Sequence, residues 1–465
     1  MRRPVLLCLA ALACNSFSEP ARQAPPTPRD PAEVARQLGA TLPSHPDLLI
    51  VTFDTTRADH VSAYGYPRQT TPWFDAFAAT GVLFERYLVP MATTLPSHTS
   101  LFTGVQPLEH GVIANADFTG ERFIPPDGLL PIASLLARGG YATGGFVSSA
   151  PLKRASGIAR DFAGWDQPDK ASRRAQPTTD AALAWLKTVP PGRPVFLWVH
   201  YLDPHRPYTP LDDLADLFDD DDTIRQHFLD RHYGKPSQRK ENLARLNAYD
   251  AELVHADRQF GRLLQAWDDS GRAHRSVVLV AGDHGEGLMQ HGELEHGNLW
   301  DEQLHTLAAL RAPGLTPRRH PTDLSAADLL PTVFGFADFP GEAAFLAMAT
   351  GHDALAPGAV APPVLSRTSL KQVHQGERLG FALTEGRWKF VLNSADKRWL
   401  FDLQTDPHEL DDVADEHPEV VARMEGRLRE MRAEQQARGE AMGAGRTEKL
   451  SEEMRLELSE LGYLE

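Results

Sequence analysis

The sequence predicts an α/β fold: a mostly parallel central sheet with helices on both faces, plus a small C-terminal α+β subdomain. Three observations carry that expectation. Leu48–Phe53, Val195–Val199 and Ser276–Ala281 are short, nearly continuous apolar runs of the kind that central strands covered on both faces require. Helical patterns alternate with these runs, as crossover connections between parallel strands demand. Beyond about residue 340 the pattern changes to paired short strands followed by one long helix.

Composition narrows the function. With 465 residues, 42% apolar and 24% charged, the chain can bury a large core, and its net charge of −16 argues against a nucleic-acid partner. Both cysteines, Cys8 and Cys14, fall in the first fourteen residues, so the body holds no disulfide, thiolate metal site or cysteine nucleophile. Met1-Arg2-Arg3 and the apolar run Val5–Ala13 form the charged start and short core of a secretory signal, too short to span a bilayer. Ala11-Leu12-Ala13-Cys14 resembles a bacterial lipoprotein processing site. The expectation is an exported periplasmic or outer-membrane lipoprotein, touching the membrane through its N-terminal lipid only.

The chain divides accordingly into a signal over 1–13, a Pro-rich tether over 14–46, a catalytic unit over 47–340, a linker and C-terminal subdomain over 341–445, and a charged helical tail over 446–465. Within the catalytic unit, Thr71–Thr80 reads as a helix with Trp73, Phe74 and Phe77 on its apolar face. Val82–Val89, Tyr141–Ser148 and Thr306–Leu310 read as further strands, and Pro131–Gly139 and Ala181–Lys187 as helices. Leu246, Leu253, Phe260 and Trp267 repeat every seven residues on the clearest helix, with Tyr249, Ala256 and Leu263 interleaved. The seven aspartates of Asp212–Asp222 lack the stepped pattern of a calcium loop and read as a solvated segment. Gly341–Pro363 reads as a connecting stretch. Phe381–Leu392 and Trp399–Leu403 read as a small antiparallel sheet, and Pro418–Arg438 as a helix.

Chemistry gathers where the buried strands end. Asp54 follows the first run, Asp203 and His205 follow the second on a loop braced by Pro204 and Pro207, and Asp283-His284 follow the third between two glycines. In open α/β sheets, ligands bind at the carboxyl ends of the strands. Thr94 opens the segment Thr94–Gly104, in which Thr94 reads as a helix cap, Pro96 lies in the first turn and Gly104 is the stop. Such a helix start favours a tetrahedral oxyanion beside the Thr94 hydroxyl.

Asp54-Thr55-Thr56-Arg57, the Thr94–Gly104 segment, His200–Tyr208, Gly282-Asp283-His284-Gly285-Glu286, and His296-Gly297 with Asp301-Glu302 together resemble the sulfatase family of the alkaline-phosphatase-like superfamily. The resemblance extends through Asp406-Pro407-His408-Glu409, covering most of residues 47–435. It implies a nucleophile at Thr94, a divalent metal at Asp54, Thr94, Asp283 and His284, general-acid candidates His205 and His296, and substrate contacts from His98, Arg57 and Asp203. Three positions depart from the family pattern. Thr94 stands where a Cys or Ser is oxidised to formylglycine, His98 where an Arg is usual, and Thr55 where the metal-binding pair has its second Asp. A threonine cannot yield the aldehyde, so the resemblance points to a plain hydroxyl nucleophile of the kind used on phosphate esters. With an imidazole among carboxylates, zinc or manganese suits the site better than calcium, and one ion is expected. The substrate expected is an anionic ester of a small molecule, glycan or lipid, phosphate favoured over sulfate. A phosphoryl transferase of the envelope and a non-catalytic binding protein on the same fold are the alternatives.

Overall fold

The Asp47–Phe53 run forms a strand whose seven residues are all buried, and this strand sits in the middle of the main sheet. The computed structural model describes residues 27–464, apart from 117–118, 220–222, 225, 228–230, 232, 370–371 and 373–378. The signal and Cys14 lie outside the described residues, as does part of the Asp212–Asp222 run.

The main sheet comprises β1 (Asp47–Phe53), β2 (Val82–Leu88), β3 (Ala142–Phe146), β4 (Gly164–Asp166), β5 (Val195–Tyr201), β6 (Ser276–Gly282), β7 (His305–Thr306), β8 (Ala308–Arg311) and β9 (Arg318–Ser325). Their order across the sheet is β9-β2-β8-β6-β1-β5-β3-β4, with β7 pairing on β2. β1 is parallel to both β5 and β6, whereas β8 runs antiparallel between β2 and β6. The sheet is therefore mixed, mostly parallel. The single strand expected over Thr306–Leu310 divides at Leu307 into β7 and β8, both antiparallel to β2.

Alternation along the central strands feeds two cores. Leu48 and Ile50 of β1, Phe196 and Trp198 of β5, and Val277 and Leu279 of β6 pack on one face. Leu49 and Val51, Leu197 and Val199, and Val278 and Val280 pack on the other. Continuous apolar runs are the direct consequence of this two-sided burial.

Helices cover both faces: α1 (Pro72–Ala78), α2 (Thr94–Thr103), α3 (Ala175–Leu186), α4 (Arg239–Trp267) and α5 (Ala326–Phe336). Leu253, Phe260, Leu263 and Trp267 of α4 join Trp73, Phe74 and Phe77 of α1 on one side. Leu95 and Phe102 of α2, with Leu329, Leu330 and Val333 of α5, fill the other. Helix α3 starts six residues earlier than Ala181, because the distant Asp203 carboxylate accepts from the Ala175 N–H at its first turn. No local signal in the sequence could have shown that cap.

The C-terminal sheet runs β10 (Val364–Arg367), β11 (Gly380–Glu385), β12 (Trp388–Asn393) and β13 (Arg398–Asp402), antiparallel throughout, and is backed by α6 (Pro418–Met442). Two expectations need correction here. The connecting stretch contains a helix, Glu342–Met348, which seats Phe345 against Phe334. The tail is only partly helical: Arg446–Lys449 pairs antiparallel with Glu121–Ile124, and helix α7 begins at Glu452 and ends at Glu460. No helix among the described residues is long and apolar enough to cross a membrane.

Lys389 ties the C-terminal sheet to the catalytic unit. Wholly buried, its Nζ lies 2.8 Å from Asp301 and 2.5 Å from Glu409, whose other oxygen accepts from the Asp301 N–H. Replacing Lys389 by Met leaves Asp301 and Glu409 facing each other with only the charge of Arg86 nearby, so Lys389→Met is expected to lower stability by about 3–5 kcal/mol in chemical denaturation. An unchanged midpoint would remove this ion pair from the account.

Candidate active site

Strand register builds the site. Phe53 of β1 is paired with Gly282 of β6, so the residues that follow, Asp54 and Asp283, leave the sheet side by side. Their turns are pinned by backbone bonds from Asp54 N–H to Tyr201 O at 2.9 Å and from Asp283 N–H to Phe53 O at 3.0 Å. Thr55 then takes a left-handed conformation at φ 46°, costly for a β-branched residue. It is held there by Tyr249 of α4, whose hydroxyl donates to Thr55 O at 2.7 Å, while the Thr55 N–H donates to Asp283 Oδ1 at 3.2 Å.

Asp54, Asp283 and His284 are buried, and their ligating atoms lie within 4.8 Å of one another. His284 Nε2 is 3.7 Å from Asp54 Oδ1 and 3.7 Å from Asp283 Oδ2. Its Nδ1–H donates to Gly285 O at 2.9 Å, which leaves the Nε2 lone pair turned toward the two carboxylates. Burial and the neighbouring His296 push the His284 imidazole down to about 3, so it is neutral. Asp54 Oδ1 and Asp283 Oδ2 are buried without a hydrogen-bond partner in the described structure, and Asp54 Oδ2 meets only His200 Nε2, at 3.3 Å. Burial, with the charge of Asp54 beside it, drives the Asp283 carboxyl well above the ordinary range. Unprotonated nitrogen and orphaned carboxylate oxygens converging on one point form a donor set that fits a divalent cation.

Thr94 stands at this point. Its Oγ is 3.4 Å from His284 Nε2, and the residue is wholly buried. Helix α2 begins one residue earlier than the sequence suggested. Thr93 is the cap residue, with no side-chain bond, and Thr94 is the first helical residue, so its hydroxyl does not serve as a cap. Gly104 closes the helix at φ 67°.

The remaining expected residues divide. His205 and His296 lie near Thr94's side of the site, their rings 5.5 Å apart, and the His296 ring is 4.2 Å from that of His284. His205 Nδ1–H donates to Arg206 O at 2.6 Å, leaving Nε2 as an acceptor. His98, expected to touch substrate, has both nitrogens engaged, Nδ1 with Thr94 O at 2.8 Å and Nε2 with Thr52 Oγ at 3.0 Å. Burial and the adjacent His200 hold it near 3, neutral, and its bond to Thr94 O braces the start of α2. Arg57, also expected at the substrate, is buried against Asp59, at 2.8 and 2.7 Å, and Gln290 at 2.8 Å. Asp203 spends one oxygen on Arg174 at 2.8 Å and the other on the Ala175 N–H at 2.8 Å. These two side chains are structural, and Asp203 has no oxygen left for a second ion.

Sequence reasoning gave no role to His200, Glu286 or Tyr463. His200 Nε2 lies 3.3 Å from Asp54 Oδ2, and its Nδ1 meets Thr52 Oγ at 3.2 Å. A histidine interrupting the apolar run of β5 was the signal for it. Glu286, pushed up to about 7 by burial, faces His296 Nδ1 at 3.3 Å. Tyr463 comes from the tail, whose closing Leu461-Gly462-Tyr463-Leu464 reads as an apolar docking end without showing where it docks.

The sheet and this cluster define an alkaline-phosphatase-like ester hydrolase. A family model described as Sulfatase matches residues 46–339, and the chain belongs to the sulfatase family. It is 24% identical over 343 residues to the Delta 4,5-hexuronate-2-O-sulfatase of Bacteroides thetaiotaomicron, covering 65% of this chain and 71% of that one. Its fold is similar to that of a Bacteroides fragilis protein assigned to the sulfatases, with a TM-score of 0.73 at 17% identity over 86% of this chain and 98% of that one. It is also similar to the phosphonate monoester hydrolase of Agrobacterium radiobacter, with a TM-score of 0.62 at 19% identity over 84% and 96%.

If the orphaned carboxylates await a cation, zinc or manganese added to chelated protein should raise its melting temperature, because a ligand bound only by the folded state stabilises it. Asp283→Asn should abolish that gain while leaving the chelated protein as stable as wild type or more so, since it relieves a like-charge pair. A cation response that survives Asp283→Asn would place the ion elsewhere.

Proposed function

We propose that this chain is an exported, metal-assisted hydrolase of anionic esters in which Thr94 is the nucleophile and phosphate esters are preferred to sulfate esters. The observation that carries the reading is the Thr94 hydroxyl at the start of α2, 3.4 Å from His284 Nε2 and beside two carboxylates with orphaned oxygens. A divalent ion held by Asp54, Asp283 and His284, with Thr94 beside it, would polarise a substrate oxygen and make the hydroxyl a better nucleophile at neutral pH. Zinc or manganese fits the imidazole in the set better than calcium, and the engagement of Asp203 with Arg174 favours one ion over two.

The protein's own groups supply the rest. In the first turn of α2, Pro96 has no N–H and the Leu95 and Ser97 N–H groups are spent on Asn115 Oδ1 at 2.8 Å and Thr93 O at 3.1 Å, so the helix start offers the transferred anion the positive end of its dipole and no row of free N–H donors. His98, bonded to Thr94 O, fixes the helix that carries the nucleophile. His205, with Nδ1–H committed to Arg206 O, offers Nε2 to hold and return a proton at the leaving oxygen, and His296 shares that side of the site.

Phosphate preference follows from Thr94, which cannot form the aldehyde hydrate, and from His98, which brings no fixed guanidinium charge. Fold similarity to a phosphonate monoester hydrolase supports it. The name of the Bacteroides thetaiotaomicron relative supports a glycan ester among the substrates. The N-terminal pattern adds lipid attachment at Cys14 to the proposal, for which a diacylglycerol mass on the mature N-terminus is the check.

Assays on matched aryl sulfate, phosphate monoester and phosphodiester substrates with added zinc or manganese should give the highest kcat/KM on a phosphate ester. Thr94→Ala should lose about a thousandfold or more in kcat, as removal of an essential nucleophile does, without losing its fold. A sulfate preference would reverse the substrate assignment, and wild-type turnover by Thr94→Ala would reject the nucleophile.

A further inference from the structure

The C-terminal tail reaches into the centre just described. Its path is built in three steps. Arg446–Lys449 adds a strand to Glu121–Ile124, Ser451 caps α7 by accepting from the Met454 N–H at 3.2 Å, and α7 lays Met454 and Leu458 on Ala116 and Ala150. A buried ion pair between Glu457 and Lys153 fastens the helix from below.

The helix end then aims one side chain. Gly462 turns left-handed at φ 76°, with its N–H on Ser459 O at 2.8 Å and the Tyr463 N–H on Leu458 O at 2.8 Å. This pair of bonds around a left-handed glycine is a Schellman stop, and the residue after the glycine is thrown back across the helix end. That residue is Tyr463. Its hydroxyl lies 3.0 Å from His205 Nε2, and Thr94 is hydrogen-bonded to the same oxygen.

The tautomer of His205 sets the directions of these bonds. His205 Nδ1 donates to Arg206 O, so Nε2 can only accept from the phenol while the imidazole is neutral, and the phenol oxygen in turn accepts from Thr94. One phenol therefore occupies both the nucleophile's proton and the nitrogen that would serve the leaving group. In an in-line displacement, an ester presents its own atoms between those two groups.

We propose that residues 446–464 form a strap that closes the Thr94 centre, with the Tyr463 hydroxyl standing where a substrate ester must sit. The strap must lift before an ester or oxyanion enters, and the chain is self-inhibited while it is down. Its attachments are a four-residue ladder with the surface ion pairs Arg122–Glu448 and Arg446–Asp127, one helix of nine residues seated on Ala116 and Ala150, and the Lys153–Glu457 pair beneath it. The inference rests on Thr94 lying at an oxyanion-handling centre.

The test uses the full-length, metal-replete protein. Tyr463→Ala removes the plug, and Lys153→Met, which leaves Glu457 unpaired beneath α7, loosens the strap while keeping Tyr463 itself. Inorganic phosphate titrated by calorimetry should bind each variant more tightly than wild type, about tenfold if the strap is down nine-tenths of the time. Release of bound zinc to a chelator should quicken in both variants. Equal or weaker phosphate binding together with unchanged zinc release would overturn the strap, as would a tail variant that loses both, because the tail would then be a working wall of the site. The zinc arm keeps this separate from the nucleophile: if Thr94→Ala turned over normally, the hydrolase mechanism would fall while zinc release still decided the strap.

Discussion

Two carboxylates that do not belong together in a protein interior, Asp54 and Asp283, are forced together by the pairing of β1 with β6. Neither residue can move away, because each follows directly on a strand whose side chains are locked into the two cores. Their orphaned oxygens and the lone pair of His284 make the centre unstable on its own terms, and a cation is the simplest group that resolves it. Burial elsewhere in the molecule provides the stability that such a centre costs.

The three departures from the family pattern make sense together around that centre. Thr55 in place of an aspartate removes one negative charge, and the neutral His98 in place of an arginine removes one positive charge. The balance of the site is thereby kept while its chemistry changes. With a plain hydroxyl beside a neutral imidazole and no guanidinium there, charge handling in the proposed reaction falls to a metal. Thr52 links the pieces: its hydroxyl oxygen meets His98 Nε2, His200 Nδ1 and Trp198 Nε1, tying α2 to β1 and β5.

Much of this was legible in the sequence because the central strands are buried on both faces, and continuous apolar runs mark such strands plainly. The residues that end those runs, Asp54 and Asp283, followed at once, as did Thr94 at a helix start. Arg57 and Asp203 were misplaced for a physical reason. A charged side chain beside a site motif has the same local sequence whether it faces the ligand or a partner elsewhere, and here Asp59 and Arg174 are those partners. The strand at Arg446–Lys449 was hidden because all four residues are charged or polar and exposed, so pairing with Glu121–Ile124 left no periodicity. The closing Leu461-Gly462-Tyr463-Leu464 reads as an apolar docking end, but where Tyr463 lands is set by the turn at Gly462 and by contacts hundreds of residues away.

The account turns on Thr94 forming the covalent bond to the transferred group. Acid-quenching the enzyme during turnover of a phosphate ester, then mapping the digested peptides by mass, measures this directly. Phosphate attached to Thr94, with an unmodified threonine there in resting protein, is the result the structure predicts. Turnover with the phosphate carried on another residue, or with none on Thr94 under conditions where the intermediate accumulates, would contradict it.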